Sequence, residues 1–522
     1  MLLVRNLEKK YNYKTILKDV SFSIEKGQRA ALVGPNGIGK TTLLRILASL
    51  EEQSKGDIEF HPNTRLGYLS QETVAKSEET IKKYIDDKAG YDVPSYKIET
   101  MLHGFQMEKI TIDRKVSELS GGQKRKIALI ALLLSQVDLF LLDEPTNNLD
   151  IASIIWLEIY LKQKKITAII VSHDREFLDN VTDRIFALSP LDHTLTVTRG
   201  KYSNYLIQEE KKEKREQLEY TLQQVEMERL LKRAAQKKEA AAKGAKWEPD
   251  DNDKMLRGFK QNRARKSART AQVLERRVDR MDKLTKPPTK TLLTIPLESL
   301  KEKGVADILV NKVSYSYDEF SLKDVLLDIP YGTRLVILGN NGVGKSTLLR
   351  LVSLYTKPAK GEITSGGGVR IGNLMQEHEN LPKRSTPLSF IKKHSVLNGS
   401  QIHNLLKKFG IEEDQVKEHI GLLSAGQRAR LLLALFAAQS VNVLVLDEPT
   451  NHLDIEGVKA LENLLDSYEG TVILVTHDRK LLEHAKIDRT YLMEDGDLAK
   501  IKDSKQYLEK SEKQAEKLVR MI

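Results

Sequence analysis

The chain has 522 residues, 40% hydrophobic and 30% charged, enough for two or three soluble domains with buried cores. It carries no cysteine, which excludes disulfides, thiol catalysis, cysteine-ligated zinc and iron–sulfur clusters. The net charge of +11 is local: residues 211–290 hold 24 Lys and Arg against 13 Asp and Glu, leaving 60 bases and 60 acids elsewhere. Such a distribution is the footprint expected for a polyanion, with a solvated helix face as the bland alternative.

At the N-terminus, Lys9, Lys10 and Lys18 interrupt any apolar run that could act as a signal peptide, so a cytoplasmic chain is expected. Tyr11 and Tyr13 lie in "LEKKYNYKTIL". The strand-like residues 30–33 then lead into "GPNGIGKTT", which begins at Gly34 and runs through Asn36 to Thr42. This matches G-x-x-x-x-G-K-[ST] between a strand and a helix, and reads as a phosphate loop. Gly37 and Gly39 let backbone N–H groups turn toward phosphate oxygens, Lys40 neutralises β and γ charge, and Thr41 can ligate Mg²⁺. Gln71 in "LGYLSQE" and "LSGGQ", holding Ser120, Gly121, Gly122 and Gln123, come next. The apolar run 127–142 is broken by Ser135, Gln136 and Asp138, so it reads as a helix and a buried strand and not as a membrane span. That strand ends in Asp143, a carboxylate at the mouth of a parallel sheet that can hold Mg²⁺ through water. Glu144, next to it, is the candidate base for an attacking water, and His173 in "IIVSHDREFL" ends a second apolar strand.

Composition then shifts to Lys, Arg, Glu, Gln and Ala, which favours helix. Two helices are expected over 202–242 and 259–284, with Gly244, Pro249 and the acids Asp250, Asp251 and Asp253 between them and a tip at about 243–258. Leu218, Leu222 and Val225 on the first, and Ala271, Leu274, Val278 and Met281 on the second, have the spacing of a coiled-coil seam. The first helix would extend roughly 60 Å. Pro287 and Pro288 end the hairpin.

The second half repeats the first. "GNNGVGKST" supplies Gly339, Asn341, Gly342, Gly344, Lys345, Ser346 and Thr347, and "LSAGQ" supplies Ser424, Ala425, Gly426 and Gln427. Tyr317, with Tyr315 two positions before it, Gln376, Asp447, Glu448 and His477 fall at matching places, and 431–446 is another helix and strand. Lys to Gln is 31 positions in both halves, Ser to Asp 23 in both, and Asp to His 30 in both. This is a duplication of whole domains at a period of about 305. The expected domains are 1–201 and 291–503, joined by 202–290 and followed by a short helical tail, 504–522.

Paired phosphate loops with "LSGGQ", "LSAGQ" and two "LDEPTN" strings resemble ATP-binding-cassette (ABC) ATPases. The resemblance implies that the signature of each cassette closes on the nucleotide of the other: Ser120, Gly121 and Gly122 on the ATP at Lys345, and Ser424, Ala425 and Gly426 on the ATP at Lys40. Ala425 stands where the pattern has glycine, which is expected to reduce margin at the Lys40 site without abolishing it. His173 and His477 would sense the γ-phosphate, Gln71 and Gln376 would contact Mg²⁺ and water, and Tyr11 and Tyr317 would stack on adenine. Replacing Glu144 and Glu448 by Gln would trap ATP in a closed state.

Two cassettes on one chain, no membrane domain and a basic helical hairpin resemble the ABC-F family across nearly the whole length. The fold this implies is α/β, two ABC-type P-loop nucleotide-binding domains joined by a basic α-helical hairpin. Members act on the ribosome at the exit tRNA site, their linker contacting tRNA and ribosomal RNA and its tip pointing to the peptidyl-transferase centre. Arg263, Arg265, Lys266 and Arg269 would meet phosphates. Trp247, Met255 and Phe259 would stack on bases, or else close the hairpin as a local apolar knot. Gln71 to Ser120 is 49 positions and Gln376 to Ser424 is 48, leaving no room for the arm subdomain that several housekeeping members insert. The missing arm and extended tip look more like members that protect ribosomes from antibiotics. A housekeeping translation factor, or the ATPase subunit of a transporter, remain the alternatives, and neither a membrane nor an obligate protein partner is implied.

Overall fold

The computed structural model describes the chain except residues 36, 71–77, 247–253, 282–306, 318–319, 375–380 and 451–454, and gives the backbone alone at 244, 254–257, 317, 425, 455–456 and 460. Its contacts define two bodies, Met1–Ser203 together with Thr291–Ile522, and Asn204–Lys290.

In the first cassette, β1 (Leu2–Tyr11) and β2 (Lys14–Ile24) precede β3 (Arg29–Val33), α1 (Lys40–Leu47) and β4 (Lys55–Phe60). Strands β2, β1 and β4 pair in that order as an antiparallel sheet. Val20, Phe22 and Ile24 turn inward from β2 while Ser21 and Ser23 face out, the period of two that a half-covered sheet imposes. The main sheet adds β5 (Leu66–Leu69), β6 (Leu139–Asp143), β7 (Thr167–Val171), β8 (Arg184–Leu188) and β9 (Leu195–Arg199) in the order β5-β6-β7-β3-β8-β9. All its pairings are parallel except that of the edge strand β9. Strands β6 and β7 are buried at every residue, so "LFLLD" and "TAIIV" need no alternation. The helices are α2 (Ile81–Ala89), α3 (Ser95–Gly104), α4 (Gly121–Leu134), α5 (Ile151–Gln163) and α6 (Arg175–Val181).

The hairpin body consists of α7 (Tyr202–Ala245), whose first two residues belong to the cassette body, and α8 (Lys254–Asp279). At 44 residues α7 is about 66 Å long. Two expectations need correction here. Helix α8 begins at Lys254, not 259, because "KMLR" is a run of good helix formers and Gly258 costs only about 1 kcal/mol inside a helix. The seam also lies elsewhere on α7. Leu218, Leu222 and Val225 are exposed, whereas Leu230 and Ala234 are buried, as are Ala264, Ala271 and Val278 on α8. Lys238 pairs with Glu275 across the two helices at 2.6 Å. Asp279, the end of α8, therefore lies near the level of Ala234, and residues 218–225 run past it.

The second cassette repeats the design with β10 (Ile308–Tyr317), β11 (Phe320–Ile329), β12 (Arg334–Leu338), α9 (Lys345–Val352), β13 (Lys360–Ser365) and β14 (Ile371–Leu374). After α10 (Pro387–His394) and α11 (Gly399–Lys408) follow α12 (Ala425–Ala438), β15 (Val443–Asp447), α13 (Ile455–Ser467), β16 (Thr471–Val475) and α14 (Arg479–His484). Strands β17 (Arg489–Glu494) and β18 (Asp497–Ile501) complete the sheet order β14-β15-β16-β12-β17-β18, beside a small sheet β11-β10-β13. The last helix, α15 (Ser504–Val519), leaves the second cassette and packs on α5 and α3 of the first. Among the described residues no helix is long and apolar enough to cross a membrane.

Candidate functional site

Both phosphate loops end where a central strand meets a helix N-terminus. Gly39 and Gly344 lie at φ 111° and 102°, and a Cβ there would sit 2.6 Å from Ile16 and 2.0 Å from the Phe320 ring. Glycine is therefore required by conformation and by space together. Lys40 Nζ donates to the carbonyls of Gly34 and Pro35 at 2.8 and 3.0 Å, and Lys345 Nζ to those of Gly339 and Asn340 at 2.7 and 2.9 Å. Burial pushes the Lys345 ammonium below its ordinary pKa.

The strand-end carboxylates converge on these loops. Asp143 accepts a hydrogen bond from Thr41, and Asp447 from Ser346; burial raises both carboxyls and those hydrogen bonds oppose it. Asp143 Oδ2 is buried without a partner. A hydroxyl beside a carboxylate with an unused buried oxygen is the oxygen donor set that suits Mg²⁺. Glu144 and Glu448 both take the left-handed backbone, φ 52° and 47°, while their N–H groups bond to Val171 and Val475 on the neighbouring strand. That strained turn aims each carboxylate at the next strand end. Glu144 Oε2 accepts the backbone N–H of His173 at 3.3 Å, and Glu448 Oε2 that of His477 at 3.2 Å. Burial raises Glu144 to about 7 and Glu448 to about 8. His477 is lowered to about 3, by burial and then by Lys345, so its ring is neutral. Its Nε2 lies 2.9 Å from Asn341 Oδ1 and 3.2 Å from Glu448 Oε1, two acceptors that an Nε2–H tautomer would serve.

The signatures are helix starts. Ser120 accepts from the N–H of Gln123 at 3.3 Å while Gln123 Oε1 accepts from the N–H of Ser120 at 2.9 Å, a capping box on α4. Ser424 and Gln427 repeat it on α12 at 3.2 and 2.8 Å. Each box fixes a helix N-terminus whose free N–H groups suit an anion.

A cleft of about 1860 Å³ between the cassettes is lined by Tyr11, Gly37, Gly39, Lys40, Thr41, Thr42, Asp143, Glu144 and His173, by the first signature Ser120 to Gln123, and by Asn341, Gly342, Glu448 and His477. Ser424, Gly426 and Gln427 do not line it. Asn36, Gln71, Gln376 and Trp247 lie outside the described residues, as do the side chains of Met255, Tyr317 and Ala425. Tyr11, and not the fully exposed Tyr13, faces the cleft, its hydroxyl donating to Glu51, a bond that raises the Tyr11 pKa. Phe320 also lines the cleft. Sequence reasoning passes over it, because the tyrosine of "VSYSY" draws the aromatic assignment.

Gln106, Asn148, Asp150, Asn340 and Tyr507 are missed in the same way, although Asn341, which two of them touch, is not. Asn341 donates its N–H to Asp150 Oδ2 at 3.2 Å and its amide to the Asn148 carbonyl at 2.9 Å. Asp150 caps α5 through the Ser153 N–H at 2.9 Å. Burial works to raise Asp150, but Lys126 at 3.3 Å holds it down to about 2. Asn340 donates to Gln106 at 2.8 Å and accepts from the Tyr507 hydroxyl at 3.3 Å. The signal for Asn148 and Asp150 is present in "TNNLD", whose second copy is "TNHLD".

In the hairpin, Arg263, Arg265, Lys266, Arg269 and Phe259 are all exposed. At 100° per residue Arg265, Lys266 and Arg269 share one face of α8, opposite the buried Ala264, Ala271 and Val278, and Arg263 flanks it. Arg276, also exposed, extends that face to about 17 Å, beyond the part singled out in the sequence.

Two phosphate loops, each with a carboxylate pair and a histidine, facing one another in a single body define a tandem-cassette ATPase. The ABC transporter family profile matches residues 17–147 and 322–451. The energy-dependent translational throttle protein EttA of Haemophilus influenzae is 31% identical over 93% of this chain and 90% of its own length. The ABC transporter F family member 5 of Arabidopsis thaliana is 30% identical over 97% of this chain and 77% of its own. The archaeal ribosome recycling factor aABCE1, solved with the stalk protein aP1, shares the fold at TM-score 0.64 and 18% identity, over 97% of this chain and 92% of that one. The chain belongs to the ABC-F family of ATP-binding-cassette ATPases, and it binds and hydrolyses ATP.

Proposed function

We propose that this ATPase binds the ribosome at the exit tRNA site, directs the tip of its hairpin toward the peptidyl-transferase centre, and displaces or protects against antibiotics that act there. The observation that carries the reading is the segregated basic face of α8, which bears Arg265, Lys266 and Arg269 in a hairpin joining two ATP-driven cassettes. Phe259, 72% exposed on that helix, is suited to stack on an unpaired base. A cytoplasmic location follows from the ribosomal role. The similarity to a translational throttle protein favours a second reading, a housekeeping translation factor.

In the cycle, the glycine loops cradle the phosphates of ATP, and Lys40 and Lys345 neutralise their charge. Thr41 with Asp143, and Ser346 with Asp447, would hold Mg²⁺, with Gln71 and Gln376 assigned beside them from the sequence alone. Held by these residues, the ion would supply neutralisation of phosphate charge. Glu144 and Glu448 orient the attacking water and take its proton, while His173 and His477 contact the γ-phosphate. Closure on ATP and release on hydrolysis drive the hairpin on and off its RNA.

The test is co-sedimentation of a Glu144→Gln, Glu448→Gln double variant with purified ribosomes, with and without ATP, across a salt series. ATP-dependent pelleting that weakens steeply with salt is expected, and pelleting no better than the ATP-free control refutes the ribosomal reading. Adding peptidyl-transferase antibiotics to the pelleted complex separates the two branches: drug release marks protection, and undisturbed drug marks the housekeeping role.

A further inference from the structure

Two reciprocal ion pairs cross between the cassettes and play no part in the cycle described so far. Arg479, at the start of α14, pairs with Glu158 on α5 of the first cassette, and Arg175, at the start of α6, pairs with Glu462 on α13 of the second. The Arg479 and Glu158 side chains are 5% and 6% exposed, and Arg175 and Glu462 are 14% and 10% exposed. Helices α6 and α14 touch one another, so the pairs flank a common axis. A second carboxylate, Glu176, stands 3.4 Å from Arg479, and Asn180 donates to Glu158 at 3.1 Å.

Each arginine follows its histidine by two residues. His477 and Arg479 are separated only by Asp478, which caps α14 through the N–H groups of Lys480 and Leu481. Anchoring Arg479 therefore anchors the loop whose His477 N–H holds Glu448. Helix α5 approaches the same loop from a second side. Its cap Asp150 accepts the Asn341 N–H, and Asn341 in turn meets His477. Glu158 lies eight residues further along α5, about 12 Å away. One rigid helix of the first cassette thus touches both the phosphate loop and the histidine loop of the second.

We propose that Glu158 and Glu462 are positioning residues for hydrolysis in the opposite cassette, acting through Arg479 and Arg175 to set the histidine loops when the cassettes dock. The inference rests on Glu144 and Glu448 as the groups that activate water, and it makes no use of the ribosome. Hydrolysis at each site is then conditional on the other cassette's helix, before any RNA is met.

The experiment measures steady-state ATP hydrolysis by the full chain carrying Arg479→Glu, Glu158→Arg, or both together, and likewise for Arg175 and Glu462. Each single reversal should lower kcat about 10- to 100-fold with little change in KM, since a misplaced loop disturbs the chemistry and not the phosphate cradle. The swapped double variant should recover most of kcat. Singles that turn over like the wild type overturn the proposal, as does a swap no better than the singles in protein that melts normally. If a reversal unfolds the chain, Glu158→Gln and Arg479→Gln replace it, each expected to lower kcat with little change in KM, and turnover like the wild type overturns the proposal. The Glu144→Gln, Glu448→Gln double variant is the control: if it hydrolyses ATP at the wild-type rate, the assignment of the water-activating groups fails, separately from this inference.

Discussion

Tyr507 offers a graded perturbation of the contact between the cassettes. It is 6% exposed on α15, where that helix leaves the second cassette and lies against α5 and α3 of the first. Its hydroxyl donates to Asn340 Oδ1 at 3.3 Å, and the same asparagine donates to Gln106 of the first cassette at 2.8 Å. Tyr507→Phe removes one neutral hydrogen bond and keeps the ring, a loss of about 0.5–1.5 kcal/mol. Tyr507→Ala also empties the ring's site, a loss of about 3–5 kcal/mol. The helix carries Lys505, Lys510, Lys513 and Lys517, so trypsin reports its opening directly. When reclosing is fast, cleavage follows the open population, and 1.4 kcal/mol is a tenfold change. The Ala variant should be cut in α15 roughly 100-fold faster or more, and the Phe variant roughly 2- to 10-fold faster. Equal cleavage of the wild-type and Ala proteins would refute the docking of α15; a Phe variant as labile as Ala would refute the partition between ring and hydroxyl.

Glu144→Gln with Glu448→Gln should lower ATP turnover by about 10²–10⁴-fold while a fluorescent ATP analogue still binds, checked by phosphate release and by titration. Gly104→Ala should destabilise the first cassette by about 1–3 kcal/mol in urea titration, because the new Cβ would lie 2.4 Å from the Trp156 indole. Ala425→Gly should change turnover by less than about threefold, since a Cβ at the equivalent Gly121 meets nothing within 4 Å. Reversing Arg265, Lys266 and Arg269 to Glu one at a time should flatten the salt dependence of RNA binding, by up to roughly one unit of slope for each phosphate left without its cation, read from a filter-binding series.

The nucleotide machinery was legible because it is carried by local strings. A glycine loop between a strand and a helix, or an apolar run ending in "LDE", fixes its own backbone and repeats in the other half. The hairpin seam was not legible from spacing alone. Leu218, Leu222 and Val225 have the right intervals, but an α8 that ends at Asp279 and pairs Glu275 with Lys238 leaves them exposed among the described residues. Periodicity defines a face, and only the partner's length and register decide whether that face is covered. The crossing contacts of Asp150 and Glu158, and the bond of Tyr507 to Asn340 within the second half, were hidden for a related reason. Each sits in an ordinary helix or cap, and its partner lies 191, 321 or 167 positions away.

Those long separations bear on how a single chain can time two ATP sites. In the Lys345 site, the phosphate loop, Glu448 and His477 come from the second cassette, but the groups that brace them come from the first: Asp150 on Asn341, Gln106 on Asn340 and Glu158 on Arg479. None of these braces exists until the cassettes meet. Helix α5 is well placed to act as one unit because it is buried along most of its length and capped by Asp150, so a shift at one end is carried to the other. On the proposal above, docking is a precondition for hydrolysis, and hydrolysis in turn releases it. Under the proposed ribosomal role, the ATP-dependent docking that completes these sites would also set how long the protein stays on its RNA.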